Sequence, residues 1–193
     1  KLLVVDIQKD DASIVADALM ELSGLCKNSM GKRQETLRAG GHFGIIMVMR
    51  KWHDDALVQI GCCCCIQNLV LDFSEAKEAI AVIGGMECIV AAMKNFPTLE
   101  FVQQSSFAAL GNYFSGTDSE RVHQSALRFV NTLDGVELVV DAMNRFSHPK
   151  IHERSCKLLS RLARFEECKE RIRKSDALSV VATSMEHFSD VID

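Results

Sequence analysis

The most informative stretch of the chain reads Gly85-Met-Glu-Cys-Ile89-Val-Ala-Ala-Met93-Lys-Asn-Phe96. The same pattern recurs in Gly41-His-Phe-Gly-Ile45-Ile-Met-Val-Met49-Arg-Lys-Trp52, in Gly135-Val-Glu-Leu-Val139-Val-Asp-Ala-Met143-Asn-Arg-Phe146 and in Ala177-Leu-Ser-Val-Val181-Ala-Thr-Ser-Met185-Glu-His-Phe188. In each copy a small residue is followed at +4 by a β-branched residue, at +8 by methionine and at +11 by an aromatic residue. This spacing places the apolar residues on one face of an α-helix. The pattern therefore predicts four equivalent helices whose methionine and aromatic residues pack in the core.

Each of the first three copies is followed by two further segments of helical character. The segment directly after the copy is nearly constant in length and covers residues 57–69, 101–113 and 150–162. The next segment varies in length and covers residues 74–83, 118–133 and 165–175. Thr117 and Glu120 have the spacing of a capping box, which favours a helix start there. The sequence therefore predicts a repeating unit of three helices, and the starts of the four copies are 44, 50 and 42 residues apart.

A three-helix unit of about 40–47 residues has the length of armadillo and HEAT repeats. Ile83-Gly-Gly-Met-Glu-Cys-Ile-Val resembles the turn before the second helix of an armadillo repeat. The stretch from Val102-Gln103 to Ala109-Leu110-Gly-Asn112-Tyr113 resembles the third helix of that family. The resemblance implies an all-α fold, a right-handed α-α superhelix (an armadillo-like solenoid) with about three complete three-helix repeats and partial repeats at its ends.

The expected organisation is a single armadillo-like repeat domain over residues 1–193. Its units are expected at about 1–40 (partial), 41–84, 85–134, 135–176 and 177–193 (partial). Residues 11–22 are expected to form a third helix that lacks most of its partners. Open solenoid ends normally need capping repeats. We therefore expect either that the chain is a fragment of a longer solenoid or that an end face mediates a homodimer.

The armadillo resemblance also implies where a partner binds. Third helices of that family line a concave groove, where recurrent asparagines contact the backbone of an extended peptide. The matching positions, with those one turn earlier, are Asp17 and Glu21, Cys64 and Asn68, Ala108 and Asn112, and Lys157 and Arg161. Their charge runs from acidic through neutral to basic, which predicts that a peptide lies with its basic part near the N-terminal repeats. The alternative is that these residues form ordinary solvated faces.

The groove positions lack the tryptophans that nuclear-import members of the family place one turn before the asparagines. Those tryptophans form the slots that hold lysine side chains, so a receptor for basic nuclear-localisation signals is not expected. The leading hypothesis is a scaffold or adaptor that binds an extended peptide or a partner helix. A protein or peptide is therefore the expected partner.

Composition and charge limit which other functions the chain can have. The net charge of −4 shows no overall basic excess, and the apolar runs are shorter than the roughly 20 residues of a membrane helix. Residues 150–174, however, hold nine Lys or Arg and four Glu. The alternative function is therefore nucleic-acid or anionic-surface binding through this basic C-terminal repeat, although a platform for stacking single-stranded bases is not expected because interleaved aromatic residues are lacking.

Eight cysteines, four of them consecutive at residues 62–65, are expected to be free thiols of a protein in the cytoplasm or nucleus. Cys62 and Cys65 align with Ser106 and Ala109, which indicates small buried positions. Cys63 and Cys64 are expected to be the more exposed thiols. The alternative function of this cluster is that of a thiol or metal sensor.

No cofactor, metal or catalytic residue is predicted. His148, His152 and Cys156 have helical spacing, but His148 precedes Pro149 and His152 aligns with glutamines in the other copies. The chain contains no phosphate-binding loop of the GxxxxGK[ST] form, no HExxH and no GxSxG. An enzyme is therefore not expected.

Overall fold

The protein is described by a computed structural model over residues 10–116 and 119–188. Those residues form twelve α-helices and no strand. The helices are α1 (Ala12–Lys27), α2 (Met30–Arg38), α3 (Gly41–Lys51), α4 (Ala56–Leu69), α5 (Ser74–Val82), α6 (Gly85–Asn95), α7 (Glu100–Tyr113), α8 (Glu120–Asn131), α9 (Gly135–Arg145), α10 (Pro149–Leu162), α11 (Glu166–Arg173) and α12 (Ala177–His187). None of these helices is long and apolar enough to cross a membrane.

The helices follow the predicted three-helix order. First, second and third helices are α2, α3 and α4 in one unit, α5, α6 and α7 in the next, and α8, α9 and α10 in another. Helix α1 has the position of a third helix before them, and α11 and α12 are a first and a second helix after them. The third helices pack side by side, α1 on α4, α4 on α7 and α7 on α10. This row carries all the predicted groove positions.

Side-chain caps define several helix starts. The carboxylate of Asp11 accepts from the backbone N–H of Ser13 at 2.9 Å, and Asp55 accepts from Val58 at 3.0 Å. Such caps satisfy N–H groups that have no partner within the helix. The predicted cap Thr117 lies outside the described residues, as does residue 118. Helix α8 begins at Glu120, where the Ser119 hydroxyl accepts from the N–H of Val122 at 3.3 Å.

A left-handed residue precedes the second helix in each complete unit. Gly40, Gly84 and Asp134 have φ angles of 74°, 73° and 57°. This conformation is costly for most residues with a Cβ but open to glycine, and aspartate tolerates it better than most. Asp176, before α12, has a φ of −73° instead. The fourth copy therefore keeps the spacing of the pattern but not its turn.

The residue that starts each second helix is small because the preceding first helix lies against it. A Cβ on Gly85 would be 2.4 Å from Cγ2 of Ile80, and one on Gly135 would be 2.4 Å from the ring of Phe129. A Cβ essentially never approaches another heavy atom this closely, so a larger residue would force the first helix to shift. The paired small residues of the motif thus have two causes, a left-handed turn and close helix packing.

The core prediction is confirmed for the methionines of the first three copies, while the aromatics Trp52, Phe96 and Phe146 are half-buried and pack against that core. Met49, Met93 and Met143 are at most 3% exposed, and their β-branched partners are fully buried. It is wrong for Met185, which is 63% exposed. Helix α12 has no following third helix among the described residues, so nothing covers the side of α12 that carries Met185.

A side-chain clamp joins the second and third helices of each unit. The amide Nε2 of Gln59 donates to the carbonyl oxygens of Met49 and Trp52, both at 2.8 Å. Gln103 repeats the clamp on Met93 at 3.0 Å and on Phe96 at 2.9 Å. In the next unit His152 takes this position, with its Nε2 2.7 Å from the carbonyl oxygen of Phe146. The clamp satisfies carbonyl groups left without a helical partner at the end of the second helix.

Candidate peptide-binding groove

The four third helices each present two of the predicted groove residues. Because the members of each pair are four residues apart, they lie on one helix face. On α1 both residues are exposed, whereas on α4 one is half-buried and the other buried. On α7 both are half-buried, and on α10 one is exposed and one half-buried. In chain order the residues are Asp17, Glu21, Cys64, Asn68, Ala108, Asn112, Lys157 and Arg161.

The structure brings four of these residues together. Ala108 and Asn112 from α7 and Lys157 and Arg161 from α10 line one depression of 180 Å³. The other predicted positions, on α1 and α4, do not line this depression. Five further residues complete its lining: Gln67, Phe107, Gly111, Glu153 and Arg154.

Both asparagines bond to the preceding third helix. The Nδ2 of Asn68, which is only 9% exposed, donates to the carbonyl oxygen of Ser23 at 3.1 Å and to its hydroxyl at 2.9 Å. The Nδ2 of Asn112 donates to the carbonyl oxygen of Gln67 at 3.0 Å. These bonds join successive third helices. Asn68 therefore has a clear structural role, while Asn112 is also part of the depression.

Arg161 is held over the neighbouring helix by its guanidinium group. Its Nη1 donates to Oδ1 of Asn112 at 3.2 Å. The same nitrogen would be 2.9 Å from a Cβ on Gly111, so the glycine makes room for the guanidinium. Burial lowers the pKa of Arg161, and the negative charge of Asp72 acts in the opposite direction. The side chain is thus a partly desolvated cation with a neutral hydrogen-bond partner.

Lys77 adds a buried cation near this end of the third helices. It is 1% exposed, and its Nζ donates to the carbonyl oxygen and hydroxyl of Ser115. Burial lowers the pKa of Lys77, and the charges of Arg161 and Arg164 lower it further, whereas Asp72 raises it. Sequence reasoning missed this residue. The available signal was its position between Ala76 and Ile80 on the apolar side of α5.

Arg154 belongs to the basic run of residues 150–174 and was not among the predicted groove positions, yet it lines the depression. Its Nη1 donates to the carbonyl oxygen of Gln104 at 2.8 Å. Arg154, Lys157 and Arg161 are spaced i, i+3 and i+7, which places them on one helix face. That spacing was sufficient to find Arg154 from the sequence.

The cysteine cluster is mostly core. Cys62, Cys63 and Cys65 are at most 1% exposed, and Cys64 is half-buried. The expectation of an exposed Cys63 is wrong, because its Sγ points at α7 and lies 3.6 Å from the hydroxyl of Ser106. Burial raises the pKa of Cys63 to about 12. The thiolate, which is the reactive and metal-binding form of cysteine, is therefore disfavoured there.

The two histidines of the His148, His152 and Cys156 pattern have other partners. Nδ1 of His148 accepts from the backbone N–H of Lys150 at 3.1 Å and caps α10. His152 bonds to Phe146 and to the hydroxyl of Ser184. Among residues 10–116 and 119–188 no group of three or more His, Cys, Asp or Glu side chains is arranged to hold a metal ion.

No protein family and no curated protein is matched by the sequence. Solved structures do match. An engineered protein is 19% identical with a TM-score of 0.76, over 98% of this chain and 83% of that one. A designed armadillo repeat protein is 16% identical with a TM-score of 0.77, over 93% of this chain and 71% of that one.

A second designed armadillo repeat protein was solved in complex with the peptide (KR)4. It is 14% identical with a TM-score of 0.56, over 100% of this chain and 98% of that one. Identities this low establish the fold alone. The twelve described helices, their three-helix order and these matches agree, and the chain has the all-α, armadillo-like repeat fold.

Proposed function

We propose that the chain is a protein-interaction scaffold that binds an extended peptide or a partner helix along the groove formed by its third helices. The observation that carries this proposal is the 180 Å³ depression lined by Ala108, Asn112, Lys157 and Arg161. These four positions were selected by alignment with peptide-binding positions, and they form one surface. A row of packed helices supplies a long binding surface that is ordered before binding, which lowers its entropic cost.

A structural neighbour supports the same assignment. A designed armadillo repeat protein of similar architecture was solved in complex with the peptide (KR)4. Its ligand is basic, whereas the groove positions of this chain change from Asp17 and Glu21 to Lys157 and Arg161. We therefore propose a peptide whose basic part lies near α1 and whose acidic part lies near α10.

The groove is tested by blocking it. Peptides are first selected from a random display library on the wild-type protein, and their affinities are measured by fluorescence anisotropy. Ala108→Trp fills the depression and should weaken the selected peptides by about tenfold or more. Ala91→Trp is the matched control, since Ala91 is exposed on α6 and lies outside the depression. Equal binding to both variants, with both folded by circular dichroism, would remove the groove proposal.

The basic-surface alternative has weaker support because many of its cations are paired. Lys157 pairs with Glu153, Lys169 with Glu166, Arg171 with Glu137, and Arg173 and Lys174 with Glu170. These pairs reduce the excess charge that would meet a nucleic acid or an anionic membrane. Binding to generic RNA at low salt that disappears steeply as salt rises would favour the alternative over the peptide groove.

We also propose that no catalytic step is associated with the groove. Its lining offers arginine, lysine, amide and carboxylate groups, but the buried thiols nearby have raised pKa values and the nearby histidines serve as caps and clamps.

The predicted homodimer has a candidate surface at the end of the row, a 710 Å³ groove between α10 and α12 that includes Val181, Met185 and Phe188. A dimer in light scattering that Met185→Glu converts to monomer would support it.

A further inference from the structure

The strongest unassigned feature is a pair of arginines on one face of α10. Arg154 and Arg161 both reach towards α7, and both are half-buried. Their Nη1 atoms donate to neutral acceptors on α7, the carbonyl oxygen of Gln104 at 2.8 Å and Oδ1 of Asn112 at 3.2 Å. The two guanidinium groups are therefore positioned before any ligand binds, which lowers the entropic cost of binding.

Within residues 10–116 and 119–188, neither arginine forms a salt bridge with an acidic side chain. Ion pairs of the described residues join Lys157 to Glu153 and Arg173 to Glu170, but include neither Arg154 nor Arg161. Glu153 is the acidic residue in the lining of the depression, and Lys157 neutralises it. A partly desolvated guanidinium that forms no direct ion pair favours binding of an anion. The depression therefore combines excess positive charge with partial exclusion of water.

The shape of the depression limits what it accepts. A volume of 180 Å³ is suited to one side chain rather than to a folded partner. Ala108 provides an apolar surface that methylene groups can contact, and guanidinium groups bind carboxylates through paired hydrogen bonds. Glutamate has both parts, a carboxylate and two methylene groups.

We propose that the depression between α7 and α10 is a carboxylate-binding site that receives an acidic side chain, preferably glutamate, of a peptide lying in the groove. Arg154 and Arg161 bind the carboxylate, Lys157 offsets the charge of Glu153, and Ala108 contacts the methylene groups. This inference rests on the proposed peptide-binding function. It adds which side-chain chemistry of the peptide is selected and which residues of the groove recognise that side chain.

The probes are two labelled octapeptides, one of alternating Glu and Ser and one of alternating Gln and Ser. They differ in charge but hardly in shape. In fluorescence anisotropy the Glu peptide should bind the wild-type protein about tenfold or more tightly than the Gln peptide. Arg154→Gln and Arg161→Gln should each weaken the Glu peptide by about tenfold and leave the Gln peptide unchanged.

Arg173→Gln is the matched control. It removes the same charge from the adjacent helix α11, but Arg173 is exposed and pairs with Glu170 outside the depression. Its effect should be about twofold or less, because exposed charges are screened by salt. An equal loss for Arg173→Gln would show a general charge effect and overturn the site. Arg161→Glu provides a second check, since it should reverse the preference and favour an alternating Lys and Ser peptide.

The outcomes also separate this inference from the groove itself. If library-selected peptides depend on Ala108 but the Glu peptide does not bind, the groove stands and the carboxylate site is wrong. If selected peptides are insensitive to Ala108→Trp, the groove fails first. If binding of a phosphoserine peptide depends on Arg161 and binding of the Glu peptide does not, the site recognises a phosphoryl group rather than a carboxylate. That result would overturn the proposal.

Discussion

At the scale of the residue, burial decides the chemistry of the thiols. Cys63 lies between α4 and α7 and is fully buried, so its pKa rises from 9.0 to about 12. In the unfolded chain the thiol ionises near its ordinary pKa. The stability contributed by the protonated folded thiol is therefore present below pH 9.0 and is lost as pH rises towards about 12.

We predict that the free energy of unfolding of the wild-type protein falls above about pH 9. The free energy of unfolding of the Cys63→Ala variant should fall less steeply, and the two slopes should differ by about 1.4 kcal/mol per pH unit. Urea denaturation followed by circular dichroism, with a non-thiol reductant, measures both slopes. Ser106→Ala is the control, because it changes the partner of Cys63 without removing a titrating group. Parallel curves for the wild-type protein and Cys63→Ala would contradict the burial argument.

Two glycines respond in opposite directions to the same substitution. Gly84→Ala should destabilise the fold by roughly 1–2 kcal/mol, because the φ of 73° is unfavourable for a residue with a Cβ. Gly24→Ala should instead stabilise it by up to about 1 kcal/mol, since Gly24 lies inside α1 and a Cβ there meets no described atom within 4 Å. Thermal or urea unfolding of the two variants measures the difference. Equal effects of the two changes would argue against the left-handed turn.

At the scale of the element, the clamp from Gln103 holds the second and third helices of its unit together. We predict that Gln103→Ala lowers the free energy of unfolding by about 1–3 kcal/mol, because buried carbonyl groups of Met93 and Phe96 lose their partner. Gln124→Ala is the matched control. Its amide is exposed and bonds only to Glu120, so its change should stay within about 0.5 kcal/mol. Similar losses in urea denaturation would show that the clamp is unimportant.

The helices were predictable because their signals are local. The pattern from Gly85 to Phe96 and its copies indicated the second helices, and the observed helices begin and end near the predicted positions. The clamp was visible only as a repeated glutamine, replaced by His152 in one unit. What the glutamine bonds to was not visible, since carbonyl groups are present at every residue and only the packing selects two of them.

At the scale of the whole molecule, stability should be highest in the middle of the row of third helices. Helices α4 and α7 pack between neighbours on both sides, whereas α12 packs against α9, α10 and α11 on one side. We predict that amides of Ala56–Leu69 and Glu100–Tyr113 exchange hydrogen most slowly and those of Ala177–His187 fastest. Hydrogen exchange with mass spectrometry tests this within one sample. Uniform exchange over all helices would indicate one cooperative unit instead.

Amino-acid order alone was enough for the helices, their repeat and the turn between them, because these depend on spacings of a few residues. Repeat alignment also predicted the groove positions, but it did not indicate what surrounds them. The bond from Arg161 to Asn112 spans 49 residues, and that from Lys77 to Ser115 spans 38. Whether an asparagine is used for packing, a lysine is buried or an arginine bonds to a neutral acceptor depends on how neighbouring repeats pack. Contacts between residues so far apart in the sequence form only when the helices of neighbouring repeats pack together.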